Sequence, residues 1–153
     1  MLKAVEVKKA FARFVEEAEP RLLRALVGVY GPEVGREATS DAIAYAWEHW
    51  DRVSAMQNPI GYLYRVGQSR SRSYSPRRVS YPPVSSEALP EVDPRLPSAF
   101  QRLSEKQRTA VILLFVEEMS EREAANAMAV SRATVRQHAQ RGLKKLRKAL
   151  QVT

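Results

Sequence analysis

Prolines divide this chain into two halves, and this division constrains the fold more than any other feature of the sequence. Six of the nine prolines lie within SPRRVSYPPVSSEALPEVDPRLP, residues 75–97. Proline removes an amide donor and disfavours helix in the residue before it, so this stretch is expected to be extended. We therefore predict a flexible linker over residues 76–96, which joins one domain at residues 1–75 to another at residues 97–153.

The first half has the periodicity of helices and no alternating pattern long enough for a strand. Its three prolines each stand where a helix could begin. We predict four helices, over about residues 4–18, 20–30, 33–52 and 59–74. The third carries apolar residues at i, i+3, i+4 and i+7, which predicts one buried stripe. These residues are Ile43, Ala46, Trp47 and Trp50.

The sign of the charge changes along the first half. Residues 33–51 hold five acids and one arginine, whereas residues 52–86 hold six arginines and no acid. On a helical wheel Glu37, Asp41 and Glu48 share one face of the third helix. This change of sign predicts two surfaces with different partners.

The second half carries the local signals of a helix-turn-helix. Ser104-Glu-Lys-Gln107 is a capping box before the buried run TAVILLFV, and Ser120-Glu-Arg-Glu123 is a second one before a short helix over about 121–128. Ala129 and Val130 then make a turn, and Ser131 is a good N-cap for the last helix. A short helix, a short turn and a long polar-faced helix predict a DNA-binding motif. The fold class is thus all-α, with a four-helix domain followed by a helix-turn-helix domain.

The last helix combines an apolar stripe with a basic face. From Ser131 to Thr153 there are seven Lys or Arg residues and no acid. Arginine and glutamine can make paired hydrogen bonds to guanine or adenine edges in the major groove, and lysine suits phosphates. The apolar stripe consists of Val135, Ala139, Leu143, Leu146 and Leu150. The candidate DNA contacts are Arg132, Thr134, Arg136, Gln137, Gln140 and Arg141, with Lys144 and Lys145 nearer phosphates.

Composition narrows the class of protein. The formal net charge of +8 points to a polyanionic partner, and the lack of cysteine excludes disulfides, thiolate metal sites and a cysteine nucleophile. The two histidines stand in no nucleophilic arrangement, and GPEVG lacks the Lys-Ser/Thr of a phosphate loop. We therefore expect that the chain is not an enzyme and that it binds neither a cofactor nor a metal. Charges interrupt every apolar run, so we expect the chain to be soluble and cytoplasmic, without membrane contact. We also expect the free protein to be a monomer.

Both halves resemble bacterial sigma factors of the extracytoplasmic-function type. Residues 103–150 resemble domain 4 of that family, in the region of its conserved "QR", "GVS" and "TVK" strings. EATSDAIAYAW and NPIGYLYRVGQSR are similar to two helices of its domain 2. The matching positions in the second half are Leu103, Gln107, Arg108, Ala125, Val130, Ser131, Thr134, Val135, Arg141, Leu146 and Arg147. One departure is Ala129, which stands where the family has a turn glycine; a left-handed conformation there would cost about 1 kcal/mol.

The resemblance implies an alternative sigma factor that directs RNA polymerase to a small set of promoters. Domain 4 would read the −35 element as duplex DNA, and domain 2 would bind the β′ clamp helices of the core enzyme and capture the melted −10 strand. The implied polymerase-binding residues are Glu37, Ser40, Asp41 and Glu48. The implied −10 contacts are Tyr62, Tyr64, Arg65, Gln68, Ser69, Arg70 and Arg72. Tyrosines among arginines also suit a single-stranded site on physical grounds, because bases stack on rings while phosphates need positive charge.

Two other readings of the helix-turn-helix stay open at this point. TVRQH also resembles the recognition helix of LuxR-type transcriptional regulators, although the first half lacks the pattern of a ligand-binding or phosphoacceptor domain. A polymerase-binding factor that no longer reads DNA is a third reading, and the basic last helix argues against it. Whether an anti-sigma factor binds this chain is left open by the sequence.

Overall fold

The computed structural model of this chain describes residues 2–74 and 95–151, and within them it contains helices and no strand. The helices of the N-terminal half (residues 2–74) are α1 (Leu2–Tyr30), α2 (Pro32–Glu48), α3 (Trp50–Val53) and α4 (Pro59–Tyr74). Those of the C-terminal half (residues 95–151) are α5 (Leu96–Gln101), α6 (Glu105–Val111), a π-helical turn (Ile112–Val116), α7 (Glu121–Met128) and α8 (Arg132–Leu150). The all-α fold class is confirmed. The linker predicted over residues 76–96 falls outside the described residues, except at its last two positions.

The first helix runs through Pro20, so the predicted break into two helices was wrong. Proline has no amide hydrogen, so the backbone carbonyl of Glu16, four residues earlier, loses its helical hydrogen bond. Glu16 lies at the surface, where water can supply the missing donor. Ala18 and Leu22, on either side of Pro20, are both fully buried. Packing on one core therefore holds both segments in a single helix.

The predicted stripe on the third helix is only partly buried. Ala46 is fully buried, but Trp47 is 44% exposed, so its assignment to the core was wrong. Its ring lies 4.9 Å from that of Phe11 on α1, while Trp50 meets the same phenylalanine edge-on at 5.2 Å. The helix also breaks at His49, and α3 is a separate turn. Trp47 thereby covers Phe11 from the outside instead of entering the core.

Both predicted capping boxes are present. The Ser104 hydroxyl accepts from the Gln107 amide at 3.2 Å, and the Gln107 side chain accepts from the Ser104 amide at 3.1 Å. Ser120 and Glu123 form the same reciprocal pair ahead of α7. These boxes fix where α6 and α7 begin, because each satisfies two backbone donors that the helix cannot.

The two halves share one hydrophobic core. Leu22, Leu26 and Val29 of α1 belong to the same buried cluster as Ile112 and Leu113 of the C-terminal half. α1 approaches the π-helical turn closely at Gly28, where an added Cβ would lie 2.5 Å from the Ile112 Cδ1. Sequence composition suggested two separated modules, whereas the structure packs them together. That each half folds on its own stays a prediction.

Two buried charges of the C-terminal half bind α1. Arg108 donates from Nε to the Val29 carbonyl at 2.9 Å and from Nη1 to the Leu103 carbonyl at 2.6 Å. The Glu117 carboxylate, 1% exposed, accepts from the Nε atoms of Arg21 and Arg24, at 3.3 Å each. The π-helical turn brings Glu117 to this place, because its amide bonds to the Ile112 carbonyl five residues earlier at 2.9 Å. The contact between the halves is therefore polar as well as apolar.

A further set of hydrogen bonds joins α4 and α1 to α6. The Tyr64 hydroxyl bonds to the Thr109 hydroxyl at 3.1 Å. Tyr30 and Gln68 both donate to Glu105 Oε1, at 2.7 and 3.4 Å. Burial raises the pKa of Tyr30 and of Tyr64, so both hydroxyls keep their protons at neutral pH. Within the described residues no buried side-chain polar atom lacks a partner.

Candidate nucleic-acid interface

The turn between α7 and α8 sets the two helices of the helix-turn-helix against each other. Ala129 adopts the left-handed conformation (φ 56°, ψ 43°) that the missing glycine predicted. The Val130 amide then bonds back to the Ala125 carbonyl at 3.0 Å. The Ser131 hydroxyl accepts from the Thr134 amide at 3.1 Å, which begins α8. The predicted motif is thus present, with Ala125 and Val135 buried where the two helices cross.

The polar face of α8 points to solvent. Of the eight residues predicted to contact duplex DNA, only Thr134 is half-buried, since its hydroxyl bonds to that of Ser131 at 2.8 Å. The exposed ones are Arg132, Arg136, Gln137, Gln140, Arg141, Lys144 and Lys145. An open hollow of about 460 Å³ lies on this face, lined by Ala133, Thr134, Arg136, Gln137 and Gln140. The structure therefore brings the predicted base readers together on one accessible surface.

His138 does not add to the positive charge of this helix. It is half-buried, and burial lowers its pKa, with Lys106 and Arg141 acting in the same direction. A histidine whose pKa lies below its ordinary value is neutral at neutral pH. The basic face thus consists of arginines and lysines alone.

The residues predicted to hold the −10 strand are divided between surface and interior. Arg65, Ser69 and Arg70 are exposed. Tyr62 is half-buried, and its hydroxyl accepts from Arg52 Nη2 at 2.9 Å. Gln68 is also half-buried, because it reaches toward Glu105 of α6, and the side chain of Arg72 lies outside the described part of the structure.

Tyr64 is the exception among these −10 candidates. Its ring is fully buried between the halves, so the predicted stacking surface is not accessible in this arrangement. The physical reason is its position on α4, on the side that faces α6 and Thr109. Stacking by Tyr64 would require the two halves to move apart.

A hollow of about 310 Å³ lies next to Tyr62. The loop before α4 contributes Met56, Gln57 and Asn58, and α4 contributes Tyr62 and Arg65. The remaining wall is formed by Asn126 and Ala127 of α7. The first helix of the helix-turn-helix therefore lies against the loop before α4, beside the −10 candidates Tyr62 and Arg65.

The acidic face of α2 lies beside an apolar hollow. Glu37, Ser40 and Glu48 are exposed and Asp41 is half-buried. The hollow, about 660 Å³, is lined by Phe11, Leu23, Ile43 and Trp47 together with polar residues that include Ser40. Sequence reasoning missed Trp47 as a surface residue, because a tryptophan at helical spacing is usually core. An exposed tryptophan beside charges is typical of protein–protein contact surfaces.

Comparisons with known proteins agree on one family. A family model described as sigma-70, region 4 matches residues 95–146. An RNA polymerase sigma-E factor of Streptomyces antibioticus is 28% identical over 154 aligned residues, covering 92% of this chain and 84% of that protein. These similarities support a sigma factor of the extracytoplasmic-function type. The sigma factor RpoE of Bartonella quintana, solved with the anti-sigma factor NepR, has the same fold, with a TM-score of 0.79, 19% identity and coverage of 94% of this chain and 98% of that one.

As an alternative sigma factor, this chain directs transcription initiation, and a LuxR-type regulator is not favoured. Sigma factors are regulators of transcription and not enzymes. Among the residues that the structure describes, no helix is long and apolar enough to cross a membrane. No group of three or more metal-ligating side chains is found in residues 2–74 and 95–151.

One further residue on the exposed surface of the helix-turn-helix was not predicted from the sequence. Glu121, at the start of α7, contacts both Nε and Nη2 of Arg136 on α8, at 3.0 and 2.9 Å. The sequence offered only the general preference for acids in the first turn of a helix. The pair is 15 residues apart, and only the crossing of the two helices brings it together.

Proposed function

We propose that this sigma factor binds core RNA polymerase through the acidic face of α2 and contacts promoter DNA through α8 and α4. The polymerase partner would be the β′ clamp helices, and the role is one of binding and positioning without a catalytic step. The separation of charge supports this division most directly: α8 is basic along its exposed face, whereas Glu37, Ser40 and Glu48 lie exposed on α2. An anti-sigma factor is a further proposed partner, because the structural relative was solved with one.

The proposed domain limits follow the same division. Residues 1–75 would form domain 2, residues 97–153 domain 4, and residues 76–96 the linker between them. Domain 4 would read the −35 element as duplex, through the exposed face of α8. Domain 2 would hold the melted −10 strand through Tyr62, Arg65, Gln68, Ser69, Arg70 and Arg72, with Tyr64 joining them once the halves separate.

If some residues of α8 contact bases and others contact phosphates, substitutions of the two groups should have different effects on DNA binding. Arg136→Ala should cost about 1–3 kcal/mol on the preferred duplex and relax preference at one base pair, because a bidentate contact to a base edge is lost. Lys144→Ala should weaken binding to all sequences alike and lower the salt dependence, because a phosphate contact releases counterions. Fluorescence anisotropy on specific and random duplexes across a salt series measures both. Equal losses on the two duplexes for Arg136→Ala would remove its base-reading role.

Transcription with purified components tests the proposed function as a whole. Core polymerase supplemented with this chain should start transcripts at a restricted set of positions on fragments of the host genome, which run-off mapping detects. Core polymerase alone is the control. A DNA-binding regulator without sigma activity would leave the core enzyme inactive, so absence of mapped starts would contradict the function.

A charge-reversal variant of the acidic face of α2 tests the proposed polymerase-binding surface. Glu37→Lys with Asp41→Lys should weaken binding to core polymerase by about tenfold or more, since reversed charges meet like charges across the interface. Binding to the −35 duplex should be unchanged. Glu16→Lys with Glu17→Lys, which reverses two exposed acids on α1, is the charge-matched control. Unchanged assembly of the α2 variant, with thermal unfolding also unchanged, would exclude this face from the interface.

A further inference from the structure

The contact between Glu121 and Arg136 joins the two helices of the helix-turn-helix on their DNA-facing side. Glu121 Oε2 accepts from Arg136 Nε at 3.0 Å, and Glu121 Oε1 accepts from Nη2 at 2.9 Å. The pair is therefore bidentate, which fixes the plane of the guanidinium as well as its position. Arg136 also lines the open hollow on the α8 face.

Stability does not account for this contact. The side chain of Arg136 is 53% exposed and that of Glu121 is 41% exposed. Ion pairs this open to water contribute little to folding, because solvent screens them and two long side chains lose rotamer freedom. The hydrogen bond to Arg136 lowers the pKa of Glu121, so the carboxylate is charged at neutral pH. What the contact changes is the orientation of Arg136.

The bonds to Glu121 leave one edge of the guanidinium free. Arginine has five N–H donors in a planar fork. Glu121 occupies the edge formed by Nε and Nη2, while the edge formed by Nη1 and the second hydrogen of Nη2 remains. Within the part of the chain that the structure describes, no other residue hydrogen-bonds to Arg136. The remaining edge has the spacing that matches the O6 and N7 acceptors of guanine in the major groove.

We propose that Glu121 is a positioning residue for sequence readout, which holds Arg136 with its Nη1–Nη2 edge toward a guanine of the −35 duplex. Its carboxylate also repels phosphates, so an arginine held in this way is less free to bind the backbone of any sequence. Glu121 thus raises the difference between the right and the wrong base pair without raising affinity in general. This inference rests on the proposed base-reading role of α8.

The simpler role for Glu121 is that of an acid in the first turn of α7, where it would favour the helix dipole. Two substitutions separate the roles. Glu121→Asp keeps the charge in the first turn but is one methylene shorter, so it cannot keep both bonds to Arg136. Glu121→Gln keeps the length but can accept through only one oxygen. A positioning role is damaged by both, whereas a dipole role is damaged by the second alone.

The test measures discrimination and not affinity alone. A duplex selected from a randomised pool by the unmodified full-length protein is compared with its single-base-pair variants in competition binding. Arg136→Ala should lower discrimination at one G·C pair by about tenfold. Glu121→Asp and Glu121→Gln should lower it at the same pair by about threefold or more, with affinity for random duplex unchanged or increased. Glu118→Gln, which removes another exposed carboxylate three residues earlier in the chain, should leave the discrimination ratio unchanged.

Three outcomes of this experiment distinguish a failure of the role inferred for Glu121 from a failure of the proposed base-reading role of Arg136. If Arg136→Ala changes discrimination at no base pair, the base-reading role of Arg136 fails. If Arg136→Ala lowers discrimination but Glu121→Asp does not, Glu121 is only an N-terminal acid and the inference is overturned. If Glu121→Asp has its full effect even in an Arg136→Ala background, Glu121 acts through something other than Arg136, which also overturns the inference.

Discussion

A disulfide between residues 28 and 112 is expected to stop this sigma factor from initiating transcription, and reduction is expected to restore it. An added Cβ at Gly28 lies 3.5 and 3.9 Å from the two branch atoms of Ile112, Cγ1 and Cγ2, which is where a cysteine sulfur would stand. The two side chains are therefore in contact, and a disulfide between them would hold its Cβ atoms about 3.5–4.5 Å apart. The natural chain has no cysteine, so Gly28→Cys with Ile112→Cys forms the only pair.

The reason for the expected loss is the position of the −10 candidates. In the closed arrangement Tyr64 is buried between the halves, and α7 forms one wall of the hollow beside Tyr62. A sigma factor that holds a −10 strand there must first move α6 and α7 away from α4. A covalent link between α1 and the π-helical turn prevents that movement, while the exposed face of α8 stays accessible.

Three measurements on the cross-linked protein follow from this. Run-off transcription should fall to the level of core polymerase alone, binding to single-stranded −10 DNA should be lost, and binding to duplex −35 DNA should persist. The same protein with reductant is the matched control, because its sequence is identical. Full transcription by the oxidised protein would show that the closed arrangement is compatible with function.

Reversing the charge of Glu117 is expected to open the closed arrangement. The carboxylate is 1% exposed and lies between two guanidinium groups on α1. Glu117→Lys places a third positive charge there and removes two hydrogen bonds. Because Arg21 and Arg24 are 30% and 53% exposed, solvent screens part of this effect, and we expect about 2 kcal/mol, or roughly a 30-fold shift toward the open form.

The opening is measured as a larger radius of gyration in small-angle scattering and as tighter binding of single-stranded −10 DNA. Glu118→Lys makes the same change of charge at the next residue, which is exposed, and should leave both quantities unchanged. Circular dichroism checks that helix content is retained. A compact Glu117→Lys protein with normal helix content would mean that the apolar core alone holds the halves together.

The helix-turn-helix could be predicted closely because its signals are local. Capping boxes at Ser104 and Ser120 act over three residues, and the N-cap at Ser131 does the same. The stripe through Val135 and Ala139 follows the period of one helix, and both residues are buried. The left-handed turn at Ala129 follows instead from the resemblance, because the family has a glycine at this position.

The sequence misled where long-range packing outweighs local preference. Pro20 predicts a helix boundary by itself, but the core on both sides of it keeps α1 continuous. Trp47 fits a buried stripe by spacing, yet it packs on the outside of Phe11 of α1 and stays 44% exposed. In each case the outcome depends on which neighbours arrive from elsewhere in the chain.

The sequence by itself determined most of the helices, the charge of their faces and the helix-turn-helix motif, since all of these depend on residues within a few turns of one another. Only the tertiary structure decided that the halves close on each other, that Tyr64 lies inside and that Glu121 contacts Arg136. Tyr64 and Thr109 are 45 positions apart, and Arg21 and Glu117 are 96 apart. No periodicity specifies pairs at such separations. They follow from the shapes of two apolar surfaces and from the polar groups that happen to be buried between them.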